Sequence, residues 1–472
     1  MVFSSSYFLA YFLPVFLLIY FVVGKKLKNP TLLLFSLLFY SWGAPVFVFI
    51  LLATTVLDFH LVQWMHNQRD LKKKKLLFLS SLSINILLLI TFKYANFFVE
   101  NVNEVLNGMG FESVGWTKIA LPIGISFFVF ESITYTVDVY RNIQQPLEKF
   151  SNYLLYILLF PKLIVGPIIP YRVIAGQITD RTETIDNRLN GFYRFCIGLA
   201  KKVFIANQIG VYTTVVFAAD YSQLDAYTAW FGIGAFAFQI YFDFSGYSDM
   251  AIGLCQMLGF KIPENFDNPY ISSSITEFWT RWHISLGKWM KEYIYIPLGG
   301  NRVASNRRLY MNLGLVFLIS GLWHGASWNF VIWGVYHGLF LILERLFLLK
   351  WYTFIGRIPS MLFTFLIVVI GCVFFRIEQV GPAFTYLKRL FIFDGIDINT
   401  FDFKFYFFLI VAAILSFSTV LKIGRRAQTA LYAEKQTDFG HLSFTLISLI
   451  VLIVSAGFIL VNGFNPFIYF QF

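Results

Sequence analysis

The stretch LYMNLGLVFLISGLWHGASWNFVIWGVYHGLFLILERLFLLK, residues 309–350, decides the fold class of this chain. It is almost entirely apolar, apart from a short polar interruption at Ser320–Trp328. One helix needs about 20 predominantly apolar residues to cross the hydrocarbon core of a bilayer. The stretch therefore predicts an apolar hairpin of two helices in a membrane.

The composition extends this interpretation to the whole chain. Of 472 residues, 58% are hydrophobic and 13% are charged, and the mean hydropathy is +0.67. Soluble domains carry about 25% charged residues, so half of the usual surface-forming side chains are missing. Further apolar runs near spanning length are Tyr7–Val23, Leu76–Phe92, Met361–Phe375, Phe405–Leu421 and Leu442–Val461. The sequence predicts an all-α polytopic membrane protein.

Basic residues indicate the orientation of the spans. Lys25, Lys26 and Lys28 follow the first apolar run, which places the first loop in the cytoplasm and the N-terminus outside. No basic segment precedes that run, so it is not a cleavable signal peptide. The net charge of +11 is explained by this positive-inside bias, and no nucleic-acid partner is expected.

Two segments do not suit a lipid-facing span. Tyr153–Tyr171 contains three prolines, and Lys261–Arg308 contains eleven charged residues. Irregular backbone is tolerated at membrane depth only where protein buries it or where it lines a watery cavity. We therefore expect about 11 or 12 membrane-spanning helices plus two re-entrant or interfacial segments.

Motifs of several other enzyme classes are absent. The chain has no G-x-S-x-G elbow, no H-E-x-x-H motif and no C-x-x-C pair. Its three cysteines, Cys196, Cys255 and Cys372, lie within or beside apolar stretches. We expect them to be small buried side chains, and we expect no disulfide and no metal site.

The polar interruption of the hairpin contains the first candidate catalytic residue. His324 lies in SGLWHGASW with no charged neighbour in sequence. Imidazole can take up and return a proton near neutral pH, as general acid–base catalysis requires. Gly321 and Gly325 would let a substrate or another backbone approach closely. From these residues alone, a histidine that only hydrogen-bonds a neighbouring helix is equally compatible.

His283 is the second candidate, in the stretch EFWTRWHISL. If this stretch is helical, Glu277 and Arg281 form an ion pair four residues apart, and Trp279 and His283 share a face. An interfacial helix with an internal ion pair explains this pattern slightly better than catalysis does. His337, 13 residues after His324, would lie on a roughly opposite helical face, which favours a structural role.

Carboxylates also occur inside an apolar run, in QIYFDFSGYSD. Asp243, Ser245, Ser248 and Asp249 would form a polar cavity wall, bind hydroxyl groups or orient a histidine. A helix end capped by Asp and Ser explains the same residues equally well.

Read together, four ordered stretches resemble the membrane-bound O-acyltransferase (MBOAT) family, in its bacterial alginate O-acetyltransferase-like branch. They are FPKLIVGPIIPY from Phe160, QIYFDFSGYSDMAIG from Gln239, NFDNPYISSSITEFWTRWHISLGKWMKEYIYIPLGGNR from Asn265 and GLWHGASWNFVIWGVYHG from Gly321. The resemblance implies that His324 is the essential catalytic histidine and His283 a supporting one. It also implies a central tunnel, with donor and acceptor entering from opposite sides. Supporting or substrate-binding roles are expected for Asp243, Ser245, Asp249, Trp323, Arg281, Trp282 and Asn265.

The resemblance further implies a donor and a partner. We expect no bound cofactor, and we expect acetyl-CoA as the donor substrate, its phosphates attracted by loop cations. Candidates for these cations are Lys201, Lys202, Arg302 and Arg307. The acetyl group is expected to pass to an extracytoplasmic esterase-like partner and then to a polysaccharide such as alginate or peptidoglycan.

The expected location is the bacterial cytoplasmic (inner) membrane, in contact with lipid. One membrane domain over residues 1–472 is expected, with N-terminal spans (1–115), a catalytic core (116–350) and C-terminal spans (351–472). D-alanyl transfer to teichoic acid, by a sister branch, is the nearest alternative function. A transporter predicts two symmetrical halves, and no internal repeat is evident. A non-catalytic scaffold of a polysaccharide-export complex predicts that His324 is dispensable.

Overall fold

The computed structural model describes residues 3–393, 400–433, 435–462 and 466–468. Throughout this part of the chain the regular structure is helical and no strand occurs, which confirms the predicted all-α class. Six of the described helical stretches are long and apolar enough to span a membrane: Phe47–Asn67, Leu71–Gly108, Trp328–Ile355, Arg357–Arg376, Phe403–Val420 and Asp438–Val461. The chain is a multi-pass membrane protein, and the total of 11 or 12 spans stays a prediction.

The chain packs as two compact units, Met1–Thr184 with Leu258–Ile262, and Ile185–Met257 with Pro263–Phe472. The helices of the first unit are α1 (Leu13–Val22), α2 (Lys25–Gly43), α3 (Phe47–Asn67), α4 (Leu71–Leu89), α5 (Ala95–Gly108), α6 (Ile125–Tyr140), α7 (Phe150–Leu158), α8 (Phe160–Leu163) and α9 (Tyr171–Thr179). The expected single domain over residues 1–472 stays a prediction.

Local sequence explains the helix ends of the first unit. α2 and α3 meet at a tight turn around Pro45. The Asp70 side chain caps α4 by accepting hydrogen bonds from the backbone N–H groups of Lys72 and Lys73, at 2.8 and 3.4 Å. A π-helical turn, Ile90–Tyr94, joins α4 to α5, so that this span continues well beyond the predicted apolar run.

The first broken segment is buried by protein, as predicted. Every residue of Tyr153–Tyr171 is buried, and the chain there forms α7, α8 and the start of α9 with irregular links between them. Protein groups satisfy its polar atoms; for example, the Tyr156 hydroxyl donates to the carbonyl oxygen of Ile169 at 3.0 Å. This pairing is what irregular backbone at membrane depth requires.

The second unit holds the candidate residues. Its helices are α10 (Ile185–Ala200), α11 (Asn207–Ala218), α12 (Ala226–Met257), α13 (Ile275–Arg281), α14 (Ile284–Met290), α15 (Asn306–His324), α16 (Trp328–Leu343), α17 (Leu349–Ile355), α18 (Arg357–Arg376), α19 (Val380–Arg389), α20 (Phe403–Phe417), α21 (Lys422–Leu431) and α22 (Asp438–Asn462). The predicted hairpin is formed by α15 and α16. The segment Lys261–Arg308 is broken into short helices, as predicted.

Two of the three cysteines are buried, as expected. Cys196 and Cys255 are buried, Cys372 is half-buried, and all three are free thiols.

Candidate active site

His324 is the last residue of α15, directly before the turn that reverses the chain into α16. The two helices approach closely at this turn because glycine lies at the contact. A Cβ atom at Gly321 would collide with the carbonyl oxygen of Phe330, and one at Gly325 would collide with the Phe330 ring. The close approach expected at these glycines is therefore made by the returning helix.

Aromatic rings surround the His324 imidazole. The ring centroids of Trp323, Trp333 and Phe375 lie 5.0, 4.9 and 5.2 Å from that of His324, all in edge-to-face geometry. The Phe330 ring is stacked at 6.5 Å. Only 8% of His324 is exposed to solvent. The histidine is thus held in an apolar site, where a proton transfer is shielded from bulk water.

A small cavity lies against His324. Its volume is about 30 Å³, which is room for one or two water molecules. It is lined by Ile240, Tyr270, Phe278, Trp279, Trp282, His324, Trp333, His337, Val368, Cys372 and Phe375. Trp282, which was predicted from sequence, and His324 therefore face one space.

His337 also lines this cavity, which its sequence spacing from His324 did not suggest. The 13-residue spacing assumes one continuous helix, but the chain reverses between α15 and α16. The His337 ring lies 4.9 Å from that of Trp333 and 5.0 Å from that of Trp279. Its buried Nδ1 atom has no hydrogen-bond partner within the described part of the chain.

His283 lies outside the six candidate spans, between α13 and α14, and only 1% of it is exposed. Its backbone is in the left-handed region, with φ of 44°. This conformation is rare for a residue with a side chain, and it occurs most often where structure over-determines it. Because α13 ends at Arg281, Trp279 and His283 do not share the face of one helix, as a continuous helix would require.

Asn265 determines the tautomer of His283. The Oδ1 atom of Asn265 accepts a hydrogen bond from the backbone N–H of Ser285 at 3.2 Å, so this atom is the amide oxygen. The His283 Nδ1 atom, 3.1 Å away, must then donate to it. Burial lowers the pKa of His283 to about 3, so the imidazole is neutral and its Nε2 atom carries a lone pair. No hydrogen-bond partner of Nε2 occurs among the described residues.

The two histidines share a neighbour. The Trp323 ring lies 5.0 Å from that of His324 and 5.9 Å from that of His283. The rings of the two predicted catalytic histidines therefore both pack against the indole ring of Trp323.

A hydrogen-bond chain leads from His283 to a larger polar pocket. Asn265 Nδ2 donates to Ser248 Oγ at 3.0 Å. Asn265, Ser248, Ser245 and Asp249 all line a pocket of about 380 Å³. Three of these four were predicted as supporting residues, and the structure groups them here rather than around His324.

Asp249 and Asp243 are held by cations of the neighbouring helix. Asp249 accepts from Arg194 at 2.9 Å and from Lys201 at 2.7 Å. Asp243 pairs with Lys202 at 2.6 Å and accepts from the backbone N–H of Ile468 at 2.8 Å. Within the described residues neither carboxylate pairs with a histidine.

These ion pairs correct one expectation. Lys201 and Lys202 are not loop residues; they lie in a π-helical stretch, Lys201–Ala206, that joins α10 to α11 without a break. Their ammonium groups neutralise carboxylates of α12, so they are not free to attract phosphates. Arg302 and Arg307 are exposed, as expected.

Arg281 has a structural position. It pairs with Glu277 at 3.0 Å, as the four-residue spacing predicts, and with Asp267 at 3.1 Å. These contacts stabilise the chain that leads into Trp282 and His283.

Glu344 was missed by sequence reasoning. Its buried carboxylate accepts hydrogen bonds from the backbone N–H groups of Ile275 and Thr276 and from the Thr276 hydroxyl, the latter two at 2.9 and 2.6 Å. It thereby caps the N-terminus of α13, the helix that carries Trp279. An acidic residue at membrane depth was the available signal. Within the described residues, no group of three His, Cys, Asp or Glu side chains has the geometry of a metal site.

Comparison with known proteins agrees with this architecture. Residues 37–377 match the model of the membrane-bound O-acyltransferase family, MBOAT. The chain belongs to this family. It is therefore an O-acyltransferase of a membrane, and the predicted enzyme class is confirmed.

Relatives show which branch of the MBOAT family is similar. A protein of Pseudomonas aeruginosa described as a probable alginate O-acetylase is 41% identical over 399 residues, covering 83% of this chain and 75% of its own. The peptidoglycan O-acetyltransferase of Helicobacter pylori is 35% identical, covering 84% and 81%. The teichoic acid D-alanyltransferase of Bacillus subtilis is 28% identical and covers 52% of this chain.

Proposed function

We propose that this MBOAT protein transfers an acetyl group from a cytoplasmic thioester, acetyl-CoA, to a hydroxyl group on the extracytoplasmic side of the bacterial inner membrane. An esterase-like partner then passes the acetyl group to a polysaccharide. The O-acetylase relatives support acetyl over D-alanyl, because the D-alanyltransferase matches a smaller part of the chain at lower identity.

The position of His324 is the observation that carries this proposal. α15 has 19 residues and is thus about 28 Å long, close to the thickness of a bilayer core. The helix begins among the cytoplasmic charges of Lys261–Arg308 and ends at His324. In the predicted orientation, His324 would then lie near the extracytoplasmic end of this helix, away from the donor's aqueous side, where an acyl group that crosses the membrane would meet its acceptor.

In the reaction, His324 removes the proton of the acceptor hydroxyl. The hydroxyl oxygen attacks the thioester carbonyl carbon, so that a C–O bond forms and the C–S bond breaks. The proton then passes from His324 to the departing sulfur. A well-placed general base contributes about 10²–10⁴ in rate.

The neighbours of His324 would assist this reaction. His283 Nε2 can accept a hydrogen bond from the acceptor and orient it. The cavity of about 30 Å³ is too small for both substrates, so their binding must displace part of its aromatic wall, formed by Trp333 and Phe375.

Arg302 and Arg307 would attract the phosphates of the donor. Replacing both by Gln should raise the donor concentration needed for half-maximal transfer about threefold at low salt, with a smaller effect at high salt, because exposed charges are screened. The measurement is transfer by purified protein at varied acetyl-CoA concentration. A donor dependence identical to wild type at low salt removes these arginines from the proposal.

The proposal is tested by acetate released with mild alkali from cell-surface polymers, fractionated by polymer. A deletion strain is complemented with wild type, His324→Ala or His60→Ala, at matched membrane levels. His60 is the control because it is an exposed histidine of the first unit. One polymer should lose its acetate in the deletion and in His324→Ala, and keep it in His60→Ala. Full acetylation in His324→Ala would favour a scaffold or transporter instead.

A further inference from the structure

A third cavity of the second unit opens beside the last turn of α18. Its volume is about 690 Å³, and it shares no lining residue with the His324 cavity. It is lined by Ala219, Asp220, Tyr221, Ser222, Arg376, Ile377, Glu378, Gln379, Gly381, Pro382 and Thr385. We propose that this cleft, the Arg376 cleft, binds a saccharide segment of the acceptor polymer. This inference rests on the proposed function, and it adds a contact between this chain itself and the polymer.

The Arg376 guanidinium is held in place by aromatic rings, and the described protein groups do not use its hydrogen-bond donors. It lies over the ring of Phe217 at 4.9 Å and over that of Phe236 at 5.9 Å. Within the described residues it makes no hydrogen bond, and no carboxylate oxygen lies within 4 Å. Two aromatic faces therefore hold in place a planar group with five hydrogen-bond donors, and this group lines an open cleft.

The other polar groups of the cleft favour a hydroxyl-rich ligand over a free anion. Asp220 and Glu378 supply carboxylate acceptors, and Ser222, Gln379 and Thr385 supply groups that donate and accept. Two carboxylates against one guanidinium disfavour a phosphate. Sugar hydroxyls donate and accept at once, so they can use both kinds of partner.

The walls of the cleft are tied together. The Tyr386 hydroxyl of α19 donates to the carbonyl oxygen of Ala229 on α12 at 2.7 Å. The Arg389 Nε atom, at the end of α19, donates to the carbonyl oxygen of Leu224, in the loop before α12. A cleft whose walls are fixed before binding loses little conformational entropy when a ligand binds.

The cleft adjoins the catalytic site and faces the acceptor side. Arg376 directly follows Phe375, whose ring lies 5.2 Å from that of His324. In the predicted orientation α18 rises from the cytoplasmic charge of Arg357, so Arg376 is at its outer end. The loop of residues 219–225, on the opposite wall, contains no Lys or Arg, as expected outside. A polymer held here would remain next to the place where the acetyl group emerges.

The test measures binding without transfer. Purified full-length protein in lipid nanodiscs is titrated with two fluorescent tetrasaccharides, a neutral glucan and a hexuronate. Wild type should bind at least one of them, and Arg376→Leu should weaken that binding about tenfold. Arg357→Leu is the matched control, since it removes an exposed arginine from the other end of the same helix. Arg376→Lys, which keeps the charge and loses the planar fork, should also weaken binding, and it replaces Arg376→Leu if the latter does not fold.

The outcomes separate this inference from the proposed function. His324→Ala should bind the tetrasaccharide like wild type, because His324 lies outside the cleft. If His324→Ala keeps full acetyl transfer while Arg376→Leu loses binding, the cleft stands and the catalytic proposal fails. If wild type binds neither tetrasaccharide at millimolar concentration, or if both Arg376 variants bind like wild type, the cleft is not a saccharide site. If Arg376→Leu no longer binds a protein partner while wild type binds no tetrasaccharide, the saccharide inference is likewise wrong.

Discussion

The two broken segments, Tyr153–Tyr171 and Lys261–Arg308, are both unsuited to a lipid-facing span but differ in how their polar groups are paired. In the first, the buried Lys162 forms an ion pair with Glu131 and lies over the ring of Tyr156 at 4.7 Å. The hydrogen-bonding groups and charges of this segment are paired within the protein. Such a segment stabilises the fold, because a buried polar network is favourable when its members are satisfied.

The second segment leaves a reactive atom available. His283 has its backbone in the left-handed region and its Nδ1 committed to Asn265, while no partner of its buried Nε2 occurs among the described residues. Trp282, its neighbour, lines the cavity of His324. A buried polar atom without a protein partner is unfavourable, so we propose that a substrate pairs with His283 Nε2 during the reaction. The two segments thus differ in how completely their polar groups are paired, as expected if the first is structural and the second takes part in the proposed reaction.

The largest expected effect tests the first segment. Lys162→Met leaves the Glu131 carboxylate buried without its cation and should lower the free energy of unfolding by about 3–5 kcal/mol. The double variant Lys162→Met/Glu131→Leu should recover most of this loss. Thermal unfolding in detergent measures both. Lys118→Met breaks the exposed pair with Glu100 and should be silent. If the double variant is as unstable as the single one, the ion pair does not explain the loss of stability in Lys162→Met.

The second test uses two replacements of His283 that keep different nitrogen positions. Asn can still donate to Asn265 and tolerates the left-handed backbone, but it has nothing at the Nε2 position. Gln can place an acceptor near Nε2. His283→Asn should therefore lose about 10- to 100-fold in acetyl transfer at normal membrane abundance, and His283→Gln should lose less.

Acetate release at matched protein levels, or transfer by purified protein, measures this difference. Since the pKa of His283 is about 3, the ratio between wild type and His283→Asn should stay constant from pH 5.5 to 8. Activity of His283→Asn equal to wild type would make His283 a structural residue, like Lys162.

The smallest expected effect concerns Glu344, which positions the second segment. Glu344→Gln introduces an amide donor opposite the N–H groups of Ile275 and Thr276, so the start of α13 should shift. Transfer should fall about tenfold, mainly through kcat, because Glu344 is predicted to touch neither substrate. Glu344→Asp should restore part of it. A rise in KM alone, with kcat unchanged, would contradict a positioning role.

The sequence predicted the membrane class, the broken segments and the enzyme family because these depend on patterns that extend over many residues. Long apolar runs and basic clusters can be recognised even when the ends of individual helices are predicted inaccurately. The Glu277–Arg281 pair was predictable as well, because four residues make one helical turn.

The sequence did not predict which polar residues meet when they lie on different helices. In sequence, Lys201 and Lys202 look like loop cations next to an apolar run. In the structure they lie in a π-helical stretch and form ion pairs with Asp249 and Asp243. His337 looks distant from His324 if one helix is assumed, yet a chain reversal directs both to one cavity.

By itself, the sequence determined the membrane environment of this protein, its helical class and its enzyme family. Hydropathy and motif order are properties of the chain, and they need no knowledge of contacts between distant residues. Only the tertiary structure decided that Asp243 is neutralised by Lys202, that Asn265 fixes the tautomer of His283, and that Arg376 opens into a cleft behind Phe375. Ion pairing, tautomers and clefts depend on distances of a few ångströms between residues far apart in sequence, and those distances exist only once the helices have packed.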